Sequence, residues 1–269
     1  MNLLWLCKNI KTSWSSRAGV ADFIRRMIWT YSASLPAALS PREWTIRFHY
    51  PVPIGKVRLL LRANAGADAY IHSEVFEHRY YRLPLERAPA TILDLGANIG
   101  LTTVYFARIF PAARLACVEP VPSNLRLLEQ NLMLNGIQAT IFPAAVHPTD
   151  GSVLMELDGR DYGHKVARNA ANNLTTTLSV PAVSVPTILQ RLAWDRIGLL
   201  KVDIEGHEAE LFSGNCEWLN RVDAMCIECH EVSGEADLQR LAKRYGFSQP
   251  QHLPGTWFMR RIATNRSRA

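Results

Sequence analysis

The chain has 269 residues, 48% of them apolar, enough for a sizeable core in one large domain or one domain with a substantial N-terminal addition. No run approaches the roughly 18 apolar residues of a membrane span, Lys8 interrupts the opening apolar run too early for a signal peptide, and the five cysteines lack framework spacing, so a reducing, cytoplasmic setting is expected. The net charge of +6 is uneven, because residues 1–90 carry 13 Lys/Arg against 6 Asp/Glu, residues 260–269 add four Arg, and the stretch between is mildly acidic.

Residues 1 to about 40 read as helical and amphipathic, with Val20, Phe23, Ile24, Met27 and Ile28 at three- and four-residue spacing. Pro36 and Pro41 close that zone. Its basic and aromatic residues, Trp14, Arg17, Arg25, Arg26 and Trp29, suit an ordinary solvated face. They also offer an acidic membrane surface a peripheral contact, while nucleic acid is not an expected partner. Short strands follow at 44–48 and 56–60, separated by Pro51 and Pro53, then a helix at 73–82. Pro84 and Pro89 mark a boundary. Beyond it strand and helix alternate: strands at 91–95, 114–119, 140–146, 198–204 and 224–230, and helices at 101–110, 123–135, 207–218 and 235–245. This alternation predicts an α/β, Rossmann-like fold, a mostly parallel sheet with helices on both faces, plus an antiparallel addition around Trp257-Phe258-Met259. The polar, aperiodic stretch 158–173 reads either as a lid carrying Tyr162 and His164 or as a plain surface loop.

The most informative stretch is Thr91-Ile92-Leu93-Asp94-Leu95-Gly96-Ala97-Asn98-Ile99-Gly100, a buried strand entering a glycine turn and then a helix. Its spacing is D-x-G-x-x-x-G, not the dinucleotide fingerprint G-x-G-x-x-G. A carboxylate before the turn repels a pyrophosphate and suits the cationic amino acid end of S-adenosylmethionine, to whose carboxylate Asn98 can donate. The turn residues Gly96, Ala97, Asn98 and Gly100 are therefore expected at the cofactor. Glu119 follows Asp94 by one strand-helix-strand step, where an acid can accept from both ribose hydroxyls.

Three blocks resemble the FkbM family of methyltransferases. They are Leu93-Asp94-Leu95-Gly96-Ala97-Asn98-Ile99-Gly100, then Val118-Glu119-Pro120-Val121-Pro122-Ser123-Asn124 with Leu128-Glu129-Gln130-Asn131, and Leu200-Lys201-Val202-Asp203-Ile204-Glu205-Gly206. The resemblance spans about Ala67 to Glu231; Asp68 and the helix ending in Tyr80-Tyr81 are similar to the family's lead-in. It implies a class I methyltransferase fold over 67–269, with residues 1–66 as an N-terminal helical/strand extension. It also implies S-adenosyl-L-methionine as cofactor, contacts from Asp94, Gly96, Asn98, Glu119 and Asn124, and commonly O-methylation of a small-molecule or glycan hydroxyl.

Lys201, Asp203 and Glu205 alternate at a strand end, where open α/β sheets place their ligands. Asp203 is expected to orient or deprotonate the acceptor hydroxyl, with Glu205 and His207 in support. Alternatively Asp203 caps a turn and Glu205 pairs with Lys201. Asp203, Glu205, Glu228 and His230 have donors suited to a hard divalent ion, but nothing in their spacing demands one and no metal is expected. Cys226-Ile227-Glu228-Cys229-His230 matches the haem-attachment pattern C-x-x-C-H, yet its cysteines fall on opposite faces of an apolar strand and read as small apolar residues. Two rival functions remain: a catalytically silent methyltransferase-like binding module, and a nicotinamide dehydrogenase, which the missing fingerprint disfavours.

Overall fold

The computed structural model describes residues 10–31, 42–63, 67–157, 165–166, 176–230 and 234–262. The lid candidates Tyr162 and His164 lie outside them. The N-terminal layer holds a helical stretch at 10–15, helix α1 (Val20–Tyr31) and an antiparallel hairpin of β1 (Glu43–His49) and β2 (Lys56–Arg62). Helix α2 (Ala67–His72) continues into a wider π turn, Ser73–His78, which ends where Arg79 turns left-handed at φ 56°. The helix expected at 73–82 thus begins earlier and stops sooner, because that Arg79 cap donates its N–H back to Glu74 and closes the turn.

The main body follows as β3 (Thr91–Leu95), α3 (Leu101–Ile109), β4 (Arg114–Val118), α4 (Pro122–Leu134) and β5 (Ala139–Phe142). A side sheet comprises β6 (Ala145–Val146), β7 (Gly151–Leu157), β8 (Lys165–Val166) and β9 (Thr176–Val183). Next come α5 (Val185–Leu192), β10 (Ile197–Val202), α6 (Glu208–Leu211), a 3-10 turn (Glu217–Arg221), β11 (Val222–Ile227), α7 (Gly234–Tyr245), β12 (Gln251–Leu253) and β13 (Thr256–Arg260). The seven-stranded sheet has the order β12-β13-β11-β10-β3-β4-β5, and β13 alone runs against the others, pairing antiparallel with both β11 and β12. This is the Rossmann-like sheet read from the alternation of elements, with the antiparallel addition at its C-terminal edge.

Two further expected elements differ. The strand at 140–146 is two, because Pro143 cannot donate a ladder hydrogen bond and the chain bends into the side sheet. The helix at 207–218 is one turn, α6. It stops at Ser213-Gly214-Asn215, where Ser213 returns a hydrogen bond to the Glu210 carbonyl and Asn215 accepts from the Glu217 N–H. The side sheet and α5 were not anticipated. Helix α5 nevertheless carries a start signal, Ser184 accepting from the Thr187 N–H with proline in the first turn.

Alternation along the strands divides the core. Leu93, Leu95, Ala116, Val118, Leu200, Val202, Met225 and Ile227 face α5 and α7. Ile92, Leu115, Cys117, Leu199, Ala224 and Cys226 face the other way, toward α3, α4 and the N-terminal hairpin. The hairpin contributes Ile46, Phe48, Val57, Leu59 and Leu61 to that second core. Its β2 strand is also stitched to α4, with Asn131 bonding the Leu60 N–H and C=O and Asn135 bonding those of Arg58. No helix among the described residues is long and apolar enough to cross a membrane.

Candidate active site

After β5 the chain leaves its side of the sheet and returns at β10, so β3 and β10 flank the point where strand order reverses. The carboxyl ends of these strands nearly touch. Gly96 stands at φ 79°, and a Cβ there would lie 1.8 Å from the Asp203 carbonyl oxygen. What Gly96 makes room for is therefore the neighbouring strand, which brings Asp203 up to the turn. Asn98 (φ 50°) and Gly100 (φ 84°) complete the turn, Asn98 being a residue that tolerates the left-handed region.

Behind this turn lies a buried ion pair. Asp94 and Lys201 are register partners on β3 and β10, each 1% exposed. Lys201 Nζ lies 3.0 Å from Asp94 Oδ1 and 3.4 Å from Asp203 Oδ2, and donates to the Gly96 carbonyl at 2.7 Å. Burial alone would lower the Lys201 pKa, but the Asp94 and Asp203 carboxylates outweigh it and hold the ammonium above its ordinary range. The Thr103 hydroxyl donates to the other Asp94 oxygen at 2.7 Å. Asp94 is thus placed behind the crevice that the turn opens onto, as an anchor for Lys201.

That crevice, of about 650 Å³, is lined by Gly96, Asn98, Glu119 and Asn124 and by the apolar Val118, Val121, Val146 and Met155, with Asp203, Glu205 and His207 at its other side. Glu119 follows directly on β4 and is 4% exposed. Its carboxylate accepts from the Asn98 N–H (2.8 Å), the Val121 N–H (3.0 Å) and Asn124 Nδ2 (3.1 Å). Burial pushes the Glu119 carboxyl up, and these three donors oppose the shift. A carboxylate has about four lone-pair positions, so one stays open toward a ligand hydroxyl. Asn124 is turned by Arg62, whose Nη1 donates to Asn124 Oδ1 at 2.8 Å while its Nη2 donates to Asp68 at 2.9 Å. Arg62, at the end of β2, was not singled out from sequence. It lies 62 positions from Asn124, and no local pattern links the two.

A second cavity, about 860 Å³, opens on the far side of the same turn and shares Gly96, Asn98, Asp203 and Glu205 with the first. Tyr70, Glu74, Tyr80, Glu228 and His230 are among its other lining residues. His230 Nδ1 lies 3.0 Å from Glu208 Oε1, which also accepts from the Ile204 and Gly206 N–H groups. Its Nε2 faces Glu205 (3.6 Å), Glu228 (3.7 Å) and Asp203 (3.9 Å). The hydrogen bond to Glu208 raises the His230 pKa to about 9, and burial with the nearby Asp203 charge raises Glu228 to about 8. An imidazolium thus supplies positive charge among carboxylates; only with its Nε2 proton lost would His230 join Asp203 and Glu228, whose donor atoms all lie within 4.8 Å of one another, in a cation site.

Asp203 and Glu205 stand at the seam between crevice and cavity, and Glu205 turns left-handed at φ 55° to reach it. Lys201 pairs with Asp94 and Asp203. His207 is placed differently from His230. It borders only the crevice, lies 3.1 Å from Glu210 Oε2 and stacks on His147 at 6.0 Å. Ala97 lines the second cavity, whereas Gly100 packs beneath Leu128 and reaches neither space. Cys226 is buried within β11 and Cys229 follows the strand's end; both thiols are held up by burial, at about 11 for Cys229.

A parallel sheet with a glycine turn after one strand, an acid after the next, and a crevice at the switch point defines a class I methyltransferase architecture. Residues 94–252 match the family model described as the Methyltransferase FkbM domain, and the chain belongs to that family. Its relatives include Methyltransferase sdnD of Sordaria araneosa, 28% identical over 66% of this chain and 81% of that protein. Another is the 31-O-demethyl-FK506 methyltransferase FkbM of Streptomyces tacrolimicus, 24% identical over 69% of this chain and 84% of that one. Among solved structures, precorrin-6y C5,15-methyltransferase from Geobacter metallireducens aligns with a TM-score of 0.42 at 9% identity, covering 72% of this chain and 87% of that one.

Proposed function

We propose that the chain is an S-adenosylmethionine-dependent methyltransferase that methylates a hydroxyl of a small molecule or glycan held in the Glu74–Glu228 cavity. The observation that carries the reading is the pair of spaces joined at Gly96, Asn98, Asp203 and Glu205, since methyl transfer needs donor and acceptor on two sides of one opening. The crevice residues fit the cofactor. Glu119 would accept from the ribose, Val118, Val121, Val146 and Met155 would flank the adenine, and Gly96 and Asn98 would meet the amino acid end. Family membership supports the same cofactor, and the name of the Streptomyces tacrolimicus relative, a 31-O-demethyl substrate, supports oxygen as acceptor.

When bound, S-adenosylmethionine supplies a methyl group on a positively charged sulfur, already activated for transfer. The protein has to align the acceptor with that methyl, and positioning of this kind contributes on the order of 7–11 kcal/mol in favourable cases. Asp203 at the seam would take the proton that the acceptor hydroxyl gives up on methylation. Glu205 and His230 orient the hydroxyl from the cavity side. His207, on the crevice side, supports that wall through Glu210.

Calorimetry with S-adenosylmethionine, S-adenosylhomocysteine and NAD tests the reading. The two sulfur ligands should bind, and Glu119→Ala should weaken both at least about tenfold by removing a charged acceptor. Asp203→Asn should bind them normally yet transfer no methyl group. Binding of NAD alone, or of none of the three, rejects the proposal.

A further inference from the structure

Helix α1 is amphipathic, and it is docked with its charged side inward. Asp22 and Arg26 are buried at 2% and 4% exposure, while the apolar Val20, Ile24 and Ile28 stand 61%, 50% and 42% exposed. The buried side is held by polar contacts: Asp22 accepts from Arg47, Arg26 pairs with Glu77 and Ser16, and Trp29 Nε1 donates to the Arg62 carbonyl. The orientation is therefore locked by polar contacts, and the helix cannot roll to hide its apolar stripe. Ile10 and Trp14 in the preceding helical stretch extend that exposed surface, at 40% and 47%. Among the described residues nothing covers it. A stripe spaced i, i+4, i+8 and turned to solvent marks a surface built to meet another apolar phase.

We propose that this face seats the protein on an anionic lipid surface, with Ile10, Trp14, Val20, Ile24 and Ile28 entering the headgroup region. Charge selects this occupant. Lys11 is exposed in the preceding helical stretch, and the side chain of Arg25, next to Ile24 in α1, is 52% exposed although it reaches Asp22 at 3.5 Å. Arg17 lies over the Trp14 ring at 3.5 Å, joining a cation to an interfacial aromatic. Cations beside a shallow apolar stripe match headgroup phosphates above acyl chains. A second copy of the chain would instead bring like charges together across its axis, in a region where residues 1–90 carry 13 Lys/Arg against 6 Asp/Glu. Nucleic acid would satisfy the cations and leave Val20, Ile24 and Ile28 without a role.

Sedimentation of the full chain with phosphatidylcholine vesicles, with and without phosphatidylglycerol, tests the proposal alongside light scattering of the protein alone. The wild type should sediment with the anionic vesicles only, and high salt should weaken this. Ile24→Glu/Ile28→Glu should lose at least about tenfold in partitioning. Both positions are exposed, so circular dichroism and S-adenosylhomocysteine binding should not change. Absence of sedimentation, or sedimentation unaffected by the double variant, overturns the proposal. A wild-type dimer that the variant converts to monomer, with no vesicle binding, overturns it in favour of a second copy. The vesicle measurement does not depend on the methyltransferase reading, which the cofactor calorimetry tests separately.

Discussion

The Asp94–Lys201 pair shows how residues can be legible while their roles are not. Both stand in motifs visible in sequence, and the carboxylate before a glycine turn reads naturally as a ligand contact. Register places them opposite each other on β3 and β10, where each compensates the other's buried charge. Their work is to tie the two strand tips together so that Asp203 stands beside Asn98. Lys201→Met should leave Asp94 buried without its counterion and cost about 3–5 kcal/mol, with the melting temperature falling on the order of 10 °C. Adding Asp94→Asn should restore much of that loss. A single variant as stable as the wild type would show that the pair does not hold the strand tips.

At the scale of elements, the junction of the hairpin with α2 contains a buried histidine whose protonation is opposed by the fold. His72 is 1% exposed, accepts the Tyr50 hydroxyl at 2.7 Å and packs against Phe48 and Phe76. Burial, reinforced by the Arg26 charge, holds its pKa well below the ordinary 6.5. The Glu77 carboxylate 3.9 Å away does not reverse this, being paired with Arg26. The unfolded chain therefore binds a proton that the folded chain refuses. Stability is fully present above pH 6.5 and is lost as the pH falls below it, with a slope approaching about 1.4 kcal/mol per pH unit. Urea unfolding between pH 7.5 and 5.5 measures it, and His72→Gln should flatten the slope (~1.4 kcal/mol per unit at most) whatever it does to stability at neutral pH. An equally steep slope in the variant would assign the effect to other groups.

Across the whole molecule, the N-terminal layer is wired to the crevice. The chain runs from Trp29 to the Arg62 carbonyl, from the Arg62 side chain to Asn124, and from Asn124 to Glu119. Arg62 also holds Asp68 through both its Nε and Nη2, which fixes its guanidinium plane. Arg62→Lys keeps the charge and loses this fork, freeing Asn124 to turn away from Glu119. Cofactor affinity should fall about threefold to tenfold, on the order of one weakened hydrogen bond. Calorimetry against the wild type measures this, and unchanged affinity would mean that Glu119 is set by β4 alone.

The central sheet is legible in the amino-acid order, because strand and helix periods differ and alternate from residue 91 to β5 and again from β10. The glycine turn and Glu119, which line one crevice, are legible there too, since each sits within a few residues of the strand that presents it. The side sheet is not legible there, β6 and β8 being two residues long and β9 interrupted by Pro181, and neither are α5 and the early end of α6. Which acids meet is set by packing between strands. His230 joins Asp203 across β10 and β11 while His207, closer in sequence, turns to His147, and Asp94 faces inward because Lys201 is its neighbour across the ladder. The same holds for α1, where periodicity foretold an apolar stripe and the ion pairs of Asp22 and Arg26 with distant partners decided that it faces outward. Contacts between residues tens of positions apart depend on register and packing, and no local pattern encodes those.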